Sequence, residues 1–159
     1  MKKIFLVVLA VIISIGMMSC TDSQGAKSGD TKIEGSLEDI MQEIYDGFDP
    51  DFPETEISKI DDENIEYFLG TKDVEFEEAI ASEPLISPHA HSIALIRVSE
   101  DADIEQIKKD IKENVDGMKW ICVGVEDDNI LVDNIGDLVI LIMDENSEDI
   151  HTSFLSLKK

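Results

Sequence analysis

HSIALIRVS (residues 91–99) is the stretch on which the reading of the chain turns. In it Ile93, Leu95 and Arg97 alternate with Ala94, Ile96 and Val98. A period of two with β-branched residues predicts a strand, and mostly apolar character on both faces predicts a central one. Upstream the period is helical. Leu37, Ile40, Met41, Ile44, Tyr45 and Phe48 form one apolar stripe behind Ser36 and Asp39, which are spaced as a capping box. DPDFPE (49–54) ends that helix with two prolines. DDENIEYFLG (61–70) predicts a short helix capped by Asp61 or Asp62 and stopped by Gly70, and DVEFEEAIASEP (73–84) predicts a third, capped by Asp73 with Pro84 beyond its end.

Downstream, ADIEQIKKDIKENVDGM (102–118) returns to a helical period. Asp103 is its cap, Gln106 stands at the capping-box position, and Ile104, Ile107, Ile111, Val115 and Met118 form a narrow stripe. ILVDN (130–134) and DLVILIM (137–143), separated by Ile135 and Gly136, predict a hairpin. SEDIHTSFLSL (147–157) predicts a closing helix with Ser147 as cap and Ile150, Phe154 and Leu157 inward. ICVGV (121–125) reads either as strand or as a helix extension or buried connection. The class is α+β: short N-terminal helices, then a β-α-β-β-α unit with a small, mainly antiparallel sheet and helices on one face. Residues 36–159 suit a single domain.

The N-terminus speaks to location. Lys2 and Lys3 precede fifteen apolar or small residues, Ile4 to Met18, which end at Ser19 and Cys20. A membrane-spanning helix takes about 20 apolar residues. A positive start, a shorter apolar core and a small residue before the cleavage point describe a secretory signal. Met17, Met18, Ser19 and Cys20 resemble the lipobox of bacterial lipoproteins, with the methionines departing from the usual leucine and small residue. The resemblance implies that residues 1–19 are removed and that Cys20 carries diacylglyceryl and fatty-acyl (palmitate-type) chains, which hold a protein on a bilayer where one chain does not. Residues 20–35, rich in Ser, Thr, Gly and Asp, read as a flexible tether of about 20 Å. The expected location is the extracytoplasmic face of the cell membrane.

Charge restricts partners. The chain has 13 basic and 36 acidic residues, net −23, and losing residues 1–19 removes two lysines and no acid. Nucleic-acid binding relies on a basic face. The cluster Lys108, Lys109 and Lys112 is interleaved with Glu105, Asp110 and Glu113 and reads as a solvated helix face, so no nucleic-acid partner is expected. Membrane attachment falls to the lipid on Cys20. With Cys20 acylated, Cys122 has no partner for a disulfide, and its place between Ile121 and Val123 predicts a small buried hydrophobe.

FLGTKDVEFEEAIASEPLISPHAHSIALIRV (68–98), a charged helix and NILVDNIGDLVILIM (129–143) together resemble a family of small bacterial extracytoplasmic lipoproteins known only as a domain of unknown function. The shared features are the helix end Leu69-Gly70, a short acidic helix, Pro84-Leu85-Ile86-Ser87, a strand, a helix, and a hairpin with Gly136 before Leu138 to Ile142. Leu138 stands where an aromatic residue is common. The resemblance covers about residues 37–145 and implies no activity, cofactor or catalytic residue.

His89 and His91 are the best candidate for chemistry. Two residues apart on a strand, they share a face with about 6.6 Å between α-carbons, a spacing that metal-binding strands use. A third ligand has to come from elsewhere, His151 or Glu83. DDEN (61–64), EDDN (126–129) and DGFDPDFPE (46–54) lack the register of a calcium loop, and no nucleophile elbow, phosphate loop or dinucleotide fingerprint occurs. The expected function is a non-catalytic, membrane-anchored module for an envelope protein, peptide or other component, with no cofactor. The alternative is a small metal-dependent hydrolase using His89 and His91.

Overall fold

The computed structural model describes residues 32–49, 52, 54–85 and 89–158. The signal segment, Cys20 and most of the tether, together with Ile86 and Ser87 of the family-like segment, lie outside the described residues. Among those described, no helix is long and apolar enough to cross a membrane.

The elements run α1 (Leu37–Phe48), β1 (Thr55–Lys59), α2 (Ile65–Leu69), β2 (Glu78–Pro84), β3 (Ser92–Arg97), α3 (Ile104–Asn114), β4 (Ile130–Ile135), β5 (Leu138–Met143) and α4 (Ser147–Ser156). The five strands form one antiparallel sheet in the order β1-β2-β3-β5-β4. The α+β class holds. β3 is the middle strand, as its two apolar faces require: Ile93 and Leu95 point to one side, Ala94 and Ile96 to the other, all fully buried.

Two apolar faces need two covering layers, and this corrects the single layer expected from the sequence. On one face α1 and α4 pack Leu37, Met41, Ile44, Ile150 and Phe154 against Ile80, Leu95, Leu138, Ile140 and Ile142. On the other, α2 and α3 pack Phe68, Leu69, Ile107 and Ile111 against Ala79, Ala81, Ala94, Ile96, Val139 and Leu141. Alanines on β2 and β3 leave room on that second face for the isoleucines of α3.

Local signals explain most boundaries. Ser36 Oγ accepts the Asp39 N–H and donates to the Asp39 carboxylate at 2.8 Å, so Ser36 caps α1 as expected while the Asp39 carboxylate takes the Ser36 hydroxyl in place of its backbone N–H. Asp103 caps α3 through the Gln106 N–H, while the Gln106 side chain turns to Asp110. α2 begins later than expected, with Asn64 as cap, and stops at Gly70, which has φ +76. A Cβ at Gly70 would lie 2.3 Å from the Asn114 backbone, so this glycine serves both the left-handed stop and the contact with the end of α3. Gly136 and Asp137 form the two-residue β4–β5 turn, Gly136 at φ +56.

Three further expectations fail. Glu78–Pro84, read as part of a helix, is β2. Thr55–Lys59, to which the sequence assigned no element, is edge strand β1. α3 stops at Asn114, so Met118 leaves the stripe and is 66% exposed, and residues 121–125 are neither strand nor helix. Cys122 is exposed rather than buried and has φ +67, the single non-glycine residue with positive φ among those described.

The segment entering α1 is strapped to the sheet. The Arg97 guanidinium donates to the carbonyls of Ile33 and Gly35 at 3.1 and 3.2 Å, and Lys32 pairs with Asp137 at 3.5 Å. Chain entry therefore lies at the end of the sheet formed by the finish of β3 and the β4–β5 turn.

Candidate functional site

The opposite end, where β2 and β5 finish and β3 starts, gathers polar residues that interrupt the apolar strands. Ser82 and Glu83 end β2, His91 and Ser92 open β3, and Asp144 follows β5. Alternation sends Ser82, His91 and Asp144 to the α1/α4 face and Glu83 and Ser92 to the α2/α3 face.

On the first face α1 brings Tyr45 over the strand ends. Its hydroxyl lies 2.9 Å from Ser82 Oγ and 2.8 Å from His91 Nε2, while His91 Nδ1 lies 2.7 Å from Asp144 Oδ2. Asp144 Oδ1 accepts the backbone N–H and side-chain amide of Asn146, so both carboxylate oxygens are engaged. With Nδ1–H given to Asp144, Nε2 either accepts the phenol hydrogen or, protonated, donates to the phenol oxygen. In the second case Tyr45 passes its hydrogen to Ser82. The Phe52 ring closes the cluster, 4.6 Å from the His91 ring and 5.3 Å from Tyr45 between centroids.

Burial pushes the Tyr45 phenol up to about 12, with Asp144 and Glu83 adding and Ser82 and Thr55 opposing. Burial also acts to raise the Asp144 carboxyl, but the bonds from His91 and Asn146 outweigh it and hold the group below the usual carboxylate value. His91 is fully buried and both ring nitrogens are engaged. A general base has to reach the proton it removes, so this arrangement orders the sheet end instead of presenting a base.

On the second face Lys119 reaches in from the loop after α3. Its side chain is 3% exposed although most of the loop is open to solvent. The ammonium lies 2.8 Å from Glu83 Oε1 and 3.1 Å from Ser92 Oγ, and 4.7–5.2 Å from the centroids of Tyr67, Phe68 and Trp120. Tyr67 donates to Glu83 Oε2 at 3.2 Å. Burial lowers the Lys119 pKa, with Glu83 opposing the shift. Carboxylate and ring faces together replace the water the ammonium has lost.

Beside the first cluster, against Phe52 and Asp144, opens a cleft of about 550 Å³. Phe52, Val123 and Val125 supply apolar lining, and Asp49, Glu126, Asp144 and Glu145 supply carboxylates. His89 also lines it.

The sequence candidates are thus dispersed. His89 lies in the connection before β3 and is exposed, whereas His91 is buried under Tyr45. Glu83 faces the other side of the sheet with Lys119. His151 on α4 bonds Asp133 of β4 at 2.7 Å, beside Lys108, and these bonds outweigh burial in lowering the Asp133 pKa. No group of three or more possible metal ligands occurs among the described residues. The acidic segment 61–64 forms a turn, with Asp61 accepting the Glu63 N–H, and Asp127–Asn129 form one 3-10 helical turn, beside which Lys112 holds the carbonyls of Asp127 and Ile130.

Sequence reasoning missed Tyr45, Ser82, Asp144 and Lys119. Polar residues breaking apolar strands at Ser82, Ser92 and Asp144 were the available signal. Tyr45 looked like one more member of the α1 stripe. No protein-family model matches the chain, and neither the curated proteins nor the solved structures give a significant match.

Proposed function

We propose that the chain is a non-catalytic extracytoplasmic binding module, held on a bacterial cell membrane by lipid on Cys20, that offers the loop end of its sheet to an envelope component. The observation that carries this reading is the placement of the cleft at the sheet end opposite the chain's entry. β3 alone separates the two ends by six residues, about 20 Å, so attachment through the N-terminal segment leaves the cleft clear of the bilayer side. The lipobox-like Met17–Cys20 segment and the resemblance to small extracytoplasmic lipoproteins support the anchor. The engaged nitrogens of His91 and its separation in environment from His89 weigh against the metal-dependent hydrolase.

Replacing Cys20 by Ala tests the anchor. The variant is expected to leave membranes on a high-salt wash and to take up no lipid label while keeping its folded circular-dichroism spectrum. Retention on washed membranes would remove the anchor from this reading. Capture of envelope components by the wild-type chain, absent when the cleft-lining Val123 is replaced by Trp in a variant that stays folded, tests the binding half.

A further inference from the structure

We propose that the cleft binds an extended peptide segment carrying lysine or arginine beside apolar side chains; this rests on the binding-module reading and adds the chemistry of the ligand. The volume of about 550 Å³ lies in the usual range for a binding pocket and holds a few side chains. Its lining combines the Phe52 ring and the valines 123 and 125 with four carboxylates, and among the described residues contains neither lysine nor arginine. Lys119, from the same loop that supplies Val123 and Val125, is turned into the ring cluster on the other face of the sheet.

That combination selects among ligands. An anion meets the field of Asp49, Glu126, Asp144 and Glu145 together with that of a chain of net charge −23. The first turn of α4, which opens on the cleft at Asn146, already carries Glu148 and Asp149, so its helix dipole is met from within. A neutral apolar group covers Phe52 and the valines but takes water from carboxylates without replacing it. Lysine and arginine do both, laying an aliphatic stem on apolar surface and keeping the charged head at the rim. Asn129 and Asn146 line the same cleft, and their amides offer donors and acceptors of the kind a peptide backbone uses.

The test is calorimetric titration of the full chain in detergent with three probes. These are the capped hexapeptide Leu-Lys-Val-Arg-Leu-Lys, its analogue with glutamine at each basic position, and 1,6-diaminohexane. The basic peptide is expected to bind at least about tenfold more tightly than the glutamine analogue, and diaminohexane at equal concentration is expected not to displace it. Glu126→Gln with Glu145→Gln should weaken basic-peptide binding about tenfold. Glu38→Gln with Glu75→Gln makes the same charge change toward the chain-entry end and should leave it within twofold.

Equal loss in the two double variants would show diffuse attraction and overturn the proposal. Displacement by diaminohexane would give the cleft to free polyamines and overturn the peptide assignment. Binding of both peptides with equal affinity would sink the cationic chemistry while leaving the binding-module reading in place. Failure of all three probes overturns the proposal outright, and the envelope-capture experiment reports on the broader reading separately.

Discussion

At the loop end of the sheet the same two strands feed two polar clusters, one on each face, built on different principles. The Tyr45–Ser82–His91–Asp144 cluster is hydrogen-bonded end to end and sits beneath a helix. The Lys119–Glu83–Ser92 cluster is a single ammonium carried in by an irregular loop and held by one carboxylate and three ring faces. The first ties α1 to three strands. The second fixes the loop whose far side, Val123 to Glu126, forms a wall of the cleft. Buried polar groups at this end thus do two jobs, orienting a helix on one face and placing a loop on the other.

The comparison breaks most visibly at Asp144. Asp144→Ala removes one partner of a buried pair and leaves His91, Asn146 and the α4 entry without their acceptor. Each buried donor left without its acceptor costs about 1–3 kcal/mol, and with His91 Nδ1 and both Asn146 donors stranded the midpoint of denaturant unfolding is expected to fall by the equivalent of about 3 kcal/mol or more. A loss under about 1 kcal/mol would place the pair in contact with water.

Lys119→Met is expected to cost less, about 1–3 kcal/mol, because Glu83 retains some solvent contact and the Tyr67 hydroxyl. Adding Glu83→Gln removes the stranded charge and should recover most of that loss. Non-additivity of this sign in a double-mutant cycle would identify Glu83 as the group Lys119 compensates. Additive effects would assign the loop's anchorage to ring packing alone.

The two faces also differ in how far the sequence announced them. The helix of the first face, α1, was fully legible, since its stripe and capping box agree. The sheet was legible where composition and alternation coincide, in β3 and the β4–β5 hairpin. It was not legible in β2: Asp73 resembles a cap, and Glu77, Glu78, Ala79 and Ala81 are helix-compatible residues whose strand state comes from pairing with β1 and β3. β1 is an edge strand with Ile57 42% exposed, so neither face showed an apolar pattern. The two covered faces of β3 were already implied by its own residues, and a layer on each side follows from them. Of the candidate site, His89 and His91 were picked out by spacing, but their separation depends on Tyr45 and Asp144, which come from distant segments.

Titration sharpens the contrast at alkaline pH. An unperturbed tyrosine ionises near pH 10, while Tyr45 in the fold holds its proton to about 12. Between those values the folded chain binds more protons than the unfolded chain, so the Tyr45 contribution makes stability fall as pH rises. Lys119 works in the other direction. With its folded pKa lowered, the unfolded chain binds more protons over the interval up to the ordinary lysine value, and its contribution rises with pH. Tyr45→Phe is therefore expected to flatten the alkaline limb by roughly 1–2 kcal/mol between pH 10 and 12, and Lys119→Met to steepen it. At the acid end Asp144, lowered in the fold, supplies stability above the ordinary carboxylate value that is lost as pH falls through its folded pKa. An alkaline limb that steepens in Tyr45→Phe would reverse the assignment.

The smallest effect lies where the Lys119 loop departs from both helix and strand. Cys122 is exposed and adopts φ +67, a left-handed conformation that a Cβ disfavours and glycine accepts. Glycine also gives the unfolded chain more freedom, which offsets part of the relief. Cys122→Gly is expected to raise stability by about 0.5 kcal/mol, and Cys122→Val, which adds β-branching at the same φ, to lower it by about 1 kcal/mol. The opposite signs separate backbone strain from side-chain packing, because a buried cysteine would lose stability on truncation to glycine and tolerate valine better. Thermal melts of the two variants check this, and in the Lys119→Met background the effects should shrink, since a loop released from its ring cluster no longer holds residue 122 in the left-handed region.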